Sequence, residues 1–185
     1  GELGDVTITS LAVKVVDVAN ETFRVIVPDA LNHRVLIWRS TTASGGRRAD
    51  LAVGQPGFSQ HGPNRGRPTP DRVTLSKPVA VATDNFATDP GAKVDRFAVV
   101  DAGNCRVTVY DELPASAQQQ PTFEASAILG QDAPNVGTPA ALPITPSQEQ
   151  RLVAPSALSA CPVNPSTGLN SMLLVVDRAS KRLMV

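Results

Sequence analysis

The chain has 185 residues and a mass of 19.4 kDa, with 42% hydrophobic and 18% charged residues, which indicates a folded chain long enough for one domain. Seventeen basic side chains balance seventeen acidic ones, and this balance argues against a nucleic-acid binder, which would carry a basic excess. No run approaches the roughly 18 consecutive apolar residues that predict a membrane-spanning helix, so we expect no membrane span.

Short apolar runs bounded by turn residues follow one another along the chain. The stretch "RVIVPDALNHRVLIW" (24–38) places two such runs around a polar turn, and "LAVGQ" (51–55) comes next. Further runs lie at 79–83, 96–101, 106–111 and 126–130. They are rich in Val, Ile, Phe and Tyr, which is typical of strands. Because no stretch keeps a 3.6-residue apolar period and the chain has sixteen prolines, we expect strands rather than helices.

Three markers recur along the chain at nearly the same spacing. An Asp and an Arg five residues apart return after steps of 72 and 76 residues, as Asp29 with Arg34, Asp101 with Arg106, and Asp177 with Arg182. The run "LAVGQ" returns 76 residues later as "AILGQ", and "LSKPVAVATD" (75–84) returns as "LVAPSALSAC" (152–161). The sequence therefore predicts a repeat of four antiparallel strands followed by a long connection.

The repeat also predicts how the sheets assemble. A four-stranded sheet cannot bury both of its faces alone, so successive sheets should pack around an axis as the blades of a β-propeller. We predict an all-β fold, a partial propeller of about three four-stranded antiparallel blades. The first blade would cover about 11–55, the second about 75–131 and the third, incomplete, about 152–185, with long connections at 56–74 and 132–151.

The repeats resemble a known family. "RVIVPDALNHRVLIW" and "RFAVVDAGNCRVTVYD" resemble the NHL repeat, in which an apolar strand is followed by Asp, a turn containing Asn, Arg and a second apolar strand. "ADLAVGQPGF" (49–58) looks like the blade-ending segment of bacterial NHL-repeat proteins, and the third copy is weaker because Ser180 and Lys181 replace the turn residues. The resemblance implies a six-bladed ring and export to the periplasm or the cell exterior.

The recurring Asp and Arg have a structural interpretation. The Asp and the Asn should lie in a hairpin turn, where short polar side chains satisfy free backbone N–H groups and tolerate positive φ. The Arg should reach a carboxylate or a carbonyl in its own or the next blade, for which its planar multidentate group is suited. Because the set recurs in every repeat, we interpret it as a structural motif rather than a catalytic one.

Three blades are fewer than the four to eight of a closed propeller. The last residues, "KRLMV", fall inside the third strand of the third blade. We expect the ring to be completed by another chain or by further sequence, with a homodimer as the alternative and a stable monomer as the least favoured state.

The long connections are where binding residues are expected. The first contains His61, Asn64, Arg65 and Arg67, a local basic patch in a neutral protein that could meet an anionic partner. The alternative is a solvated Pro/Gly loop. The second connection is Pro- and Ala-rich and nearly uncharged, which favours a packing role.

Few residues in the sequence are candidates for a metal site. Asp84, Asn85 and Asp89 could coordinate calcium but match no calcium-loop spacing, and no other cofactor is expected. Cys105 and Cys161 fit no metal spacing; we expect two buried thiols, with a disulfide left open.

The expected function is that of a non-enzymatic binding or scaffold module within a larger assembly. The alternative is part of a propeller lyase or hydrolase whose metal-dependent site is shared with blades outside this chain. Peptidyl-amidating lyases that resemble NHL propellers use several histidines, whereas this chain has only His33, inside a structural turn, and His61.

Overall fold

The computed structural model describes residues 10, 12–17, 22–39, 48–83, 96–113, 116–138, 149–162 and 171–185. Within these ranges the chain forms eleven strands. They are β1 (Ala12–Asp17), β2 (Thr22–Asp29), β3 (Arg34–Arg39), β4 (Leu51–Val53), β5 (Pro78–Thr83), β6 (Phe97–Asp101), β7 (Arg106–Tyr110), β8 (Ala127–Leu129), β9 (Pro155–Pro162), β10 (Ser171–Asp177) and β11 (Arg182–Met184). The described helical segments are all short 3₁₀ turns, so the all-β prediction is confirmed.

The strands form three antiparallel sheets, each made of strands that follow one another in sequence. The first has the order β1-β2-β3-β4 and the second has the order β5-β6-β7-β8. The third contains β9, β10 and β11 in the described residues, and it corresponds to the repeat that was predicted to be incomplete. The same register recurs in all three hairpins, where Asp29 pairs with Arg34, Asp101 with Arg106, and Asp177 with Arg182.

The first two sheets share an apolar core. Alternation along each strand places one set of side chains on a common face, and β2, β3 and β4 contribute Ile26, Val35, Ile37, Leu51 and Val53. The second sheet contributes Val81, Phe97, Val99 and Tyr110 from its facing side. The ring of Tyr110 stacks on Phe97 at 4.6 Å and on Phe123 at 5.4 Å. These aromatic rings fill the space between the two sheets.

The opposite face of the second sheet packs on the third. The alternate residues of β5, β6 and β7, among them Ala80, Val100 and Val107, form a second core with Val175 and Leu152. The second sheet is therefore covered on both faces, which explains why β6 and β7 are buried at nearly every position. The first strands of the sheets also touch in succession, β1 against β5 and β5 against β9.

Candidate functional site

Arg106 is the first residue of β7, next to the turn of the second hairpin, and is fully buried. Its Nε donates to Asp101 Oδ2 at 2.8 Å. Its Nη2 donates to the carbonyls of Asp71 and Thr74, which precede the second sheet, and its Nη1 donates to the carbonyl of Pro134, which follows that sheet. One guanidinium thus ties the hairpin to the connections on both sides of its sheet.

Each of the other two hairpins shares part of this set of contacts. Arg34 donates to Asp29 Oδ2 at 2.8 Å and to the carbonyl of Phe58, the counterpart of Pro134. Arg182 donates to Asp177 Oδ2 at 3.2 Å and to the carbonyls of Glu149 and Arg151, which precede the third sheet. Because these bonds to backbone carbonyls recur, we interpret each Asp–Arg hairpin as a structural joint, that is, a contact that ties a sheet to the connections next to it.

The turn residues differ in one respect from the sequence-based expectation. Positive φ was expected to be tolerated at the Asn, but it occurs at the next residue, with φ of 53° at His33, 52° at Cys105 and 55° at Lys181. Asn104 lies in the 3₁₀ turn Ala102–Asn104 and donates its amide to Asp101 Oδ2 at 2.7 Å. Asparagine therefore supplies a donor to the carboxylate, and Ser180 does the same in the third hairpin at 2.6 Å.

The Asp carboxylates also accept hydrogen bonds from free backbone N–H groups, as expected from the sequence. Asp101 accepts from Ser76 N–H at 2.6 Å, and Asp177 accepts from the N–H groups of Val153 and Ala154. Burial acts to raise the pKa of Asp177, but the bonds from Ser180, these two N–H groups and Arg182 hold it below its usual value.

We expect Asp177→Asn to lower the free energy of unfolding at pH 7 by about 1–3 kcal/mol, because a charged acceptor is lost. Since the folded-state pKa is lowered, ionised Asp177 stabilises the fold above about pH 4, and this contribution is lost as pH falls through the folded pKa. The difference in free energy of unfolding between wild type and variant, measured by urea denaturation, should therefore decrease from pH 7 to pH 3. Asp132→Asn, at an exposed carboxyl, is the control, and a gap independent of pH would contradict the prediction.

A second joint recurs beside the hairpins. Leu75 packs over Gly54 and Leu152 packs over Gly130, so closely that a Cβ on either glycine would lie within 2.8 Å of the leucine side chain. Each glycine is followed by a glutamine whose side-chain amide donates to backbone carbonyls of the adjoining hairpin and connection. Gln55 donates to the carbonyls of His33 and Gly62. Gln131 donates to the carbonyls of Cys105 and Thr138. The "GQ" marker of the repeat is therefore a contact point between a sheet and the connection leaving it.

The predicted basic patch of the first connection is divided by the structure. His61 and Arg67 are exposed, and Arg67 pairs with Asp71. Asn64 is buried and exchanges side-chain hydrogen bonds with Asn104 at 3.1 and 2.9 Å. Arg65 is half-buried and donates to the carbonyls of Gly54, Gln120 and Pro121. Asn64 and Arg65 thus join the first and second sheets, leaving two of the four residues facing solvent.

The other candidate residues are placed as follows. Asp84, Asn85 and Asp89 lie outside the described residues, as does the side chain of Cys161. Cys105 is a buried free thiol whose pKa is raised by burial and by the charges of Asp101 and Asp177. His33 Nδ1 accepts the backbone N–H of Lys77 at 3.0 Å, as suits a residue in a structural turn. In the part of the chain that the structure describes, no three His, Cys, Asp or Glu side chains converge as metal ligands.

An apolar groove between the second and third sheets was not anticipated from the sequence. It consists of two cavities of about 320 and 740 Å³ that share Leu129, Met172 and Leu173. The ion pair between Arg96 and Asp111, at 3.1 Å, lines the smaller cavity. The only sequence signal for the groove is the spacing of the repeat, which aligns the exposed Leu129 with the buried Val53.

The described helical segments include none with the length and apolar character that crossing a membrane would require. No protein-family model matches the chain, and comparison with curated proteins gives no significant match.

Proposed function

We propose that this chain is a non-enzymatic binding or scaffold module of NHL type, an arc of propeller blades that works within a larger assembly. Support comes from the recurring Asp–turn–Arg hairpins and from the succession of three sheets whose first strands lie side by side. Sheets that meet at their first strands and pack face to face are what the blades of a propeller require.

The observation that carries the proposal is the outer face of the third sheet. The register places Ala157, Val176 and Leu183 side by side across the three strands. Val176 and Leu183 are exposed, whereas Val100 and Val107, at the corresponding positions of the second sheet, are fully buried under the third sheet. A further sheet packed on this face would bury the same kind of surface as the joint already present.

The test is the native mass of the purified chain, with each component then weighed under denaturing conditions. We expect a mass above 19.4 kDa, from association with another chain or with a second copy. Val176→Lys should shift the material to a monomer of unchanged secondary structure, whereas Ser59→Lys, in an exposed loop position, should leave the mass unchanged. A wild-type chain that is folded and monomeric at high concentration would overturn the proposal.

A further inference from the structure

One buried glutamine holds together the two backbone segments that carry the histidines of this chain. The side-chain amide of Gln55 donates to the carbonyl of His33 in the first hairpin at 3.1 Å. It also donates to the carbonyl of Gly62, the residue after His61, at 2.8 Å. Because Gln55 is fully buried, this bridge places the hairpin turn and the first connection side by side, with one histidine on each.

The imidazole of His33 connects the first hairpin to the second sheet. Its Nδ1 accepts the backbone N–H of Lys77 at 3.0 Å, and Lys77 immediately precedes β5. Both residues have positive φ, 53° at His33 and 52° at Lys77, a conformation that is unfavourable for residues with a side chain. A ring nitrogen accepts a hydrogen bond only while it carries no proton. The contact therefore requires neutral His33 with its proton on Nε2.

The groups around His33 disfavour its protonation. Burial and the charge of His61 lower the pKa of His33, and the carboxylate of Asp29 in the same hairpin opposes them. Among the described residues, His61 and Asp29 are the charged groups that act on His33. Asp29 already pairs with Arg34 at 2.8 Å, so it is not free to neutralise a protonated imidazole. Lys77, from the segment entering β5, contributes its backbone N–H.

The other two hairpins have different side chains at this position. Cys105 and Lys181 take the place of His33 and have nearly the same φ, 52° and 55°. Histidine is the side chain whose ordinary pKa lies between pH 5 and pH 8. Among the three hairpins, a response to mild acid is therefore specific to the first, where it meets the second sheet.

We propose that His33 and His61 form a pH-sensitive latch between the first hairpin and the segment that enters β5. At neutral pH the latch is closed, with His33 Nδ1 bonded to the Lys77 N–H. In mild acid a proton occupies Nδ1, the Lys77 N–H loses its acceptor, and two positively charged imidazoles lie beside the Gln55 bridge. The segment that enters β5 then loosens from the first hairpin.

The direction of the pH effect follows from the lowered pKa of His33. In the unfolded chain this pKa is about 6.5, and in the folded chain it is lower. Neutral His33 therefore stabilises the closed latch above about pH 6.5, and this contribution is lost as pH falls from there through the folded-state pKa.

The test follows the intact ¹⁵N-labelled chain by NMR from pH 7.5 to pH 5. We expect the imidazole ¹⁵N shifts of His33 to show the Nε2–H tautomer at pH 7.5, and the Lys77 amide shift to titrate with the same midpoint as His33, below pH 6.5. Protection of the Lys77 amide from exchange, corrected for the intrinsic rate, should fall about two- to tenfold, as expected for the loss of one hydrogen bond. The amide of Gly103, bonded to the Ser76 carbonyl at 2.8 Å, should keep its protection and excludes general unfolding as the cause.

Two variants distinguish the latch from a purely structural turn. In His33→Asn the side-chain oxygen replaces Nδ1 as acceptor, does not titrate and suits positive φ, so Lys77 protection should not change with pH. In His61→Asn the midpoint should move to higher pH, because His33 then takes up its proton without a neighbouring positive charge.

A Lys77 amide that does not titrate, or that titrates equally in His33→Asn, would overturn the proposal. A proton on Nδ1 of His33 at pH 7.5 would also overturn it, and an unchanged midpoint in His61→Asn would overturn the part assigned to His61. The latch goes beyond the proposed function and is tested separately from it, because the native mass depends on the outer face of the third sheet, around Val176 and Leu183.

Discussion

Replacing Arg106 with methionine should lower the free energy of unfolding by about 3–5 kcal/mol, the range found when one partner of a buried ion pair is removed. The variant leaves Asp101 buried without its cation and leaves the carbonyls of Asp71, Thr74 and Pro134 without their donor. Burial already raises the pKa of Asp101, with Arg106 opposing that rise. Without Arg106 the carboxyl takes up a proton more readily, so the deficit should shrink as the solution is acidified.

Urea denaturation followed by circular dichroism measures this effect. Arg67→Met is the matched control, because Arg67 pairs with Asp71 at an exposed position where such pairs contribute at most about 1 kcal/mol. Arg106→Lys keeps the charge but loses the planar fork, so it should lie between wild type and the methionine variant. If Arg106→Met lowers the free energy of unfolding no more than Arg67→Met does, the hairpin joint does not stabilise the fold.

Gly54→Ala should cost about 2–4 kcal/mol of unfolding free energy. Gly54 has φ of +93°, a region that L residues rarely adopt, and a Cβ there would lie 2.7 Å from Leu75 Cδ1. In the variant, the alanine at position 54 must therefore adopt a left-handed backbone conformation, and its Cβ must also displace Leu75. Trp38, the single tryptophan, lies in β3 of the same sheet and reports the unfolding transition by its fluorescence.

Gly66→Ala separates the two causes. Gly66 has φ of +79°, but a Cβ there meets nothing within 4 Å, so this variant should cost only about 1 kcal/mol. Adding Leu75→Ala to Gly54→Ala should cost less than the sum of the two single changes, because the clash is then relieved. Equal costs at Gly54 and Gly66 would mean that close packing at the joint contributes nothing.

The strands and their pairing follow from local patterns in the sequence. The predicted runs at 79–83, 96–101, 106–111 and 126–130 correspond to β5, β6, β7 and β8 within one or two residues at each end. Alternating apolar residues and turn residues specify such strands without reference to distant parts of the chain. The repeat spacing added the expectation that like sheets would pack in succession.

The residues of the site depended on partners far away in sequence. In the sequence, Asn64 and Arg65 are part of a predicted basic loop. In the structure, Asn64 donates to the side chain of Asn104, and Arg65 donates to the carbonyls of Gln120 and Pro121. Likewise Leu129 is exposed, although Val53, its counterpart in the first copy of the marker, is buried in a core that includes Tyr110. Local composition does not distinguish a solvated arginine from one that bridges two sheets.

The joint between sheets is directional, and this governs how copies of the chain can associate. The first and second sheets each present a glycine and a glutamine where the chain leaves the sheet, and each receives a leucine from the connection that leads into the next sheet. The two ends of the array are therefore unlike, and contacts between copies that extend it run head to tail. Heterologous contacts of this kind close into a ring or continue into a filament, depending on the rotation at each step. The rotation from one sheet to the next would therefore decide whether copies that associate in this way form a discrete particle or an open-ended polymer.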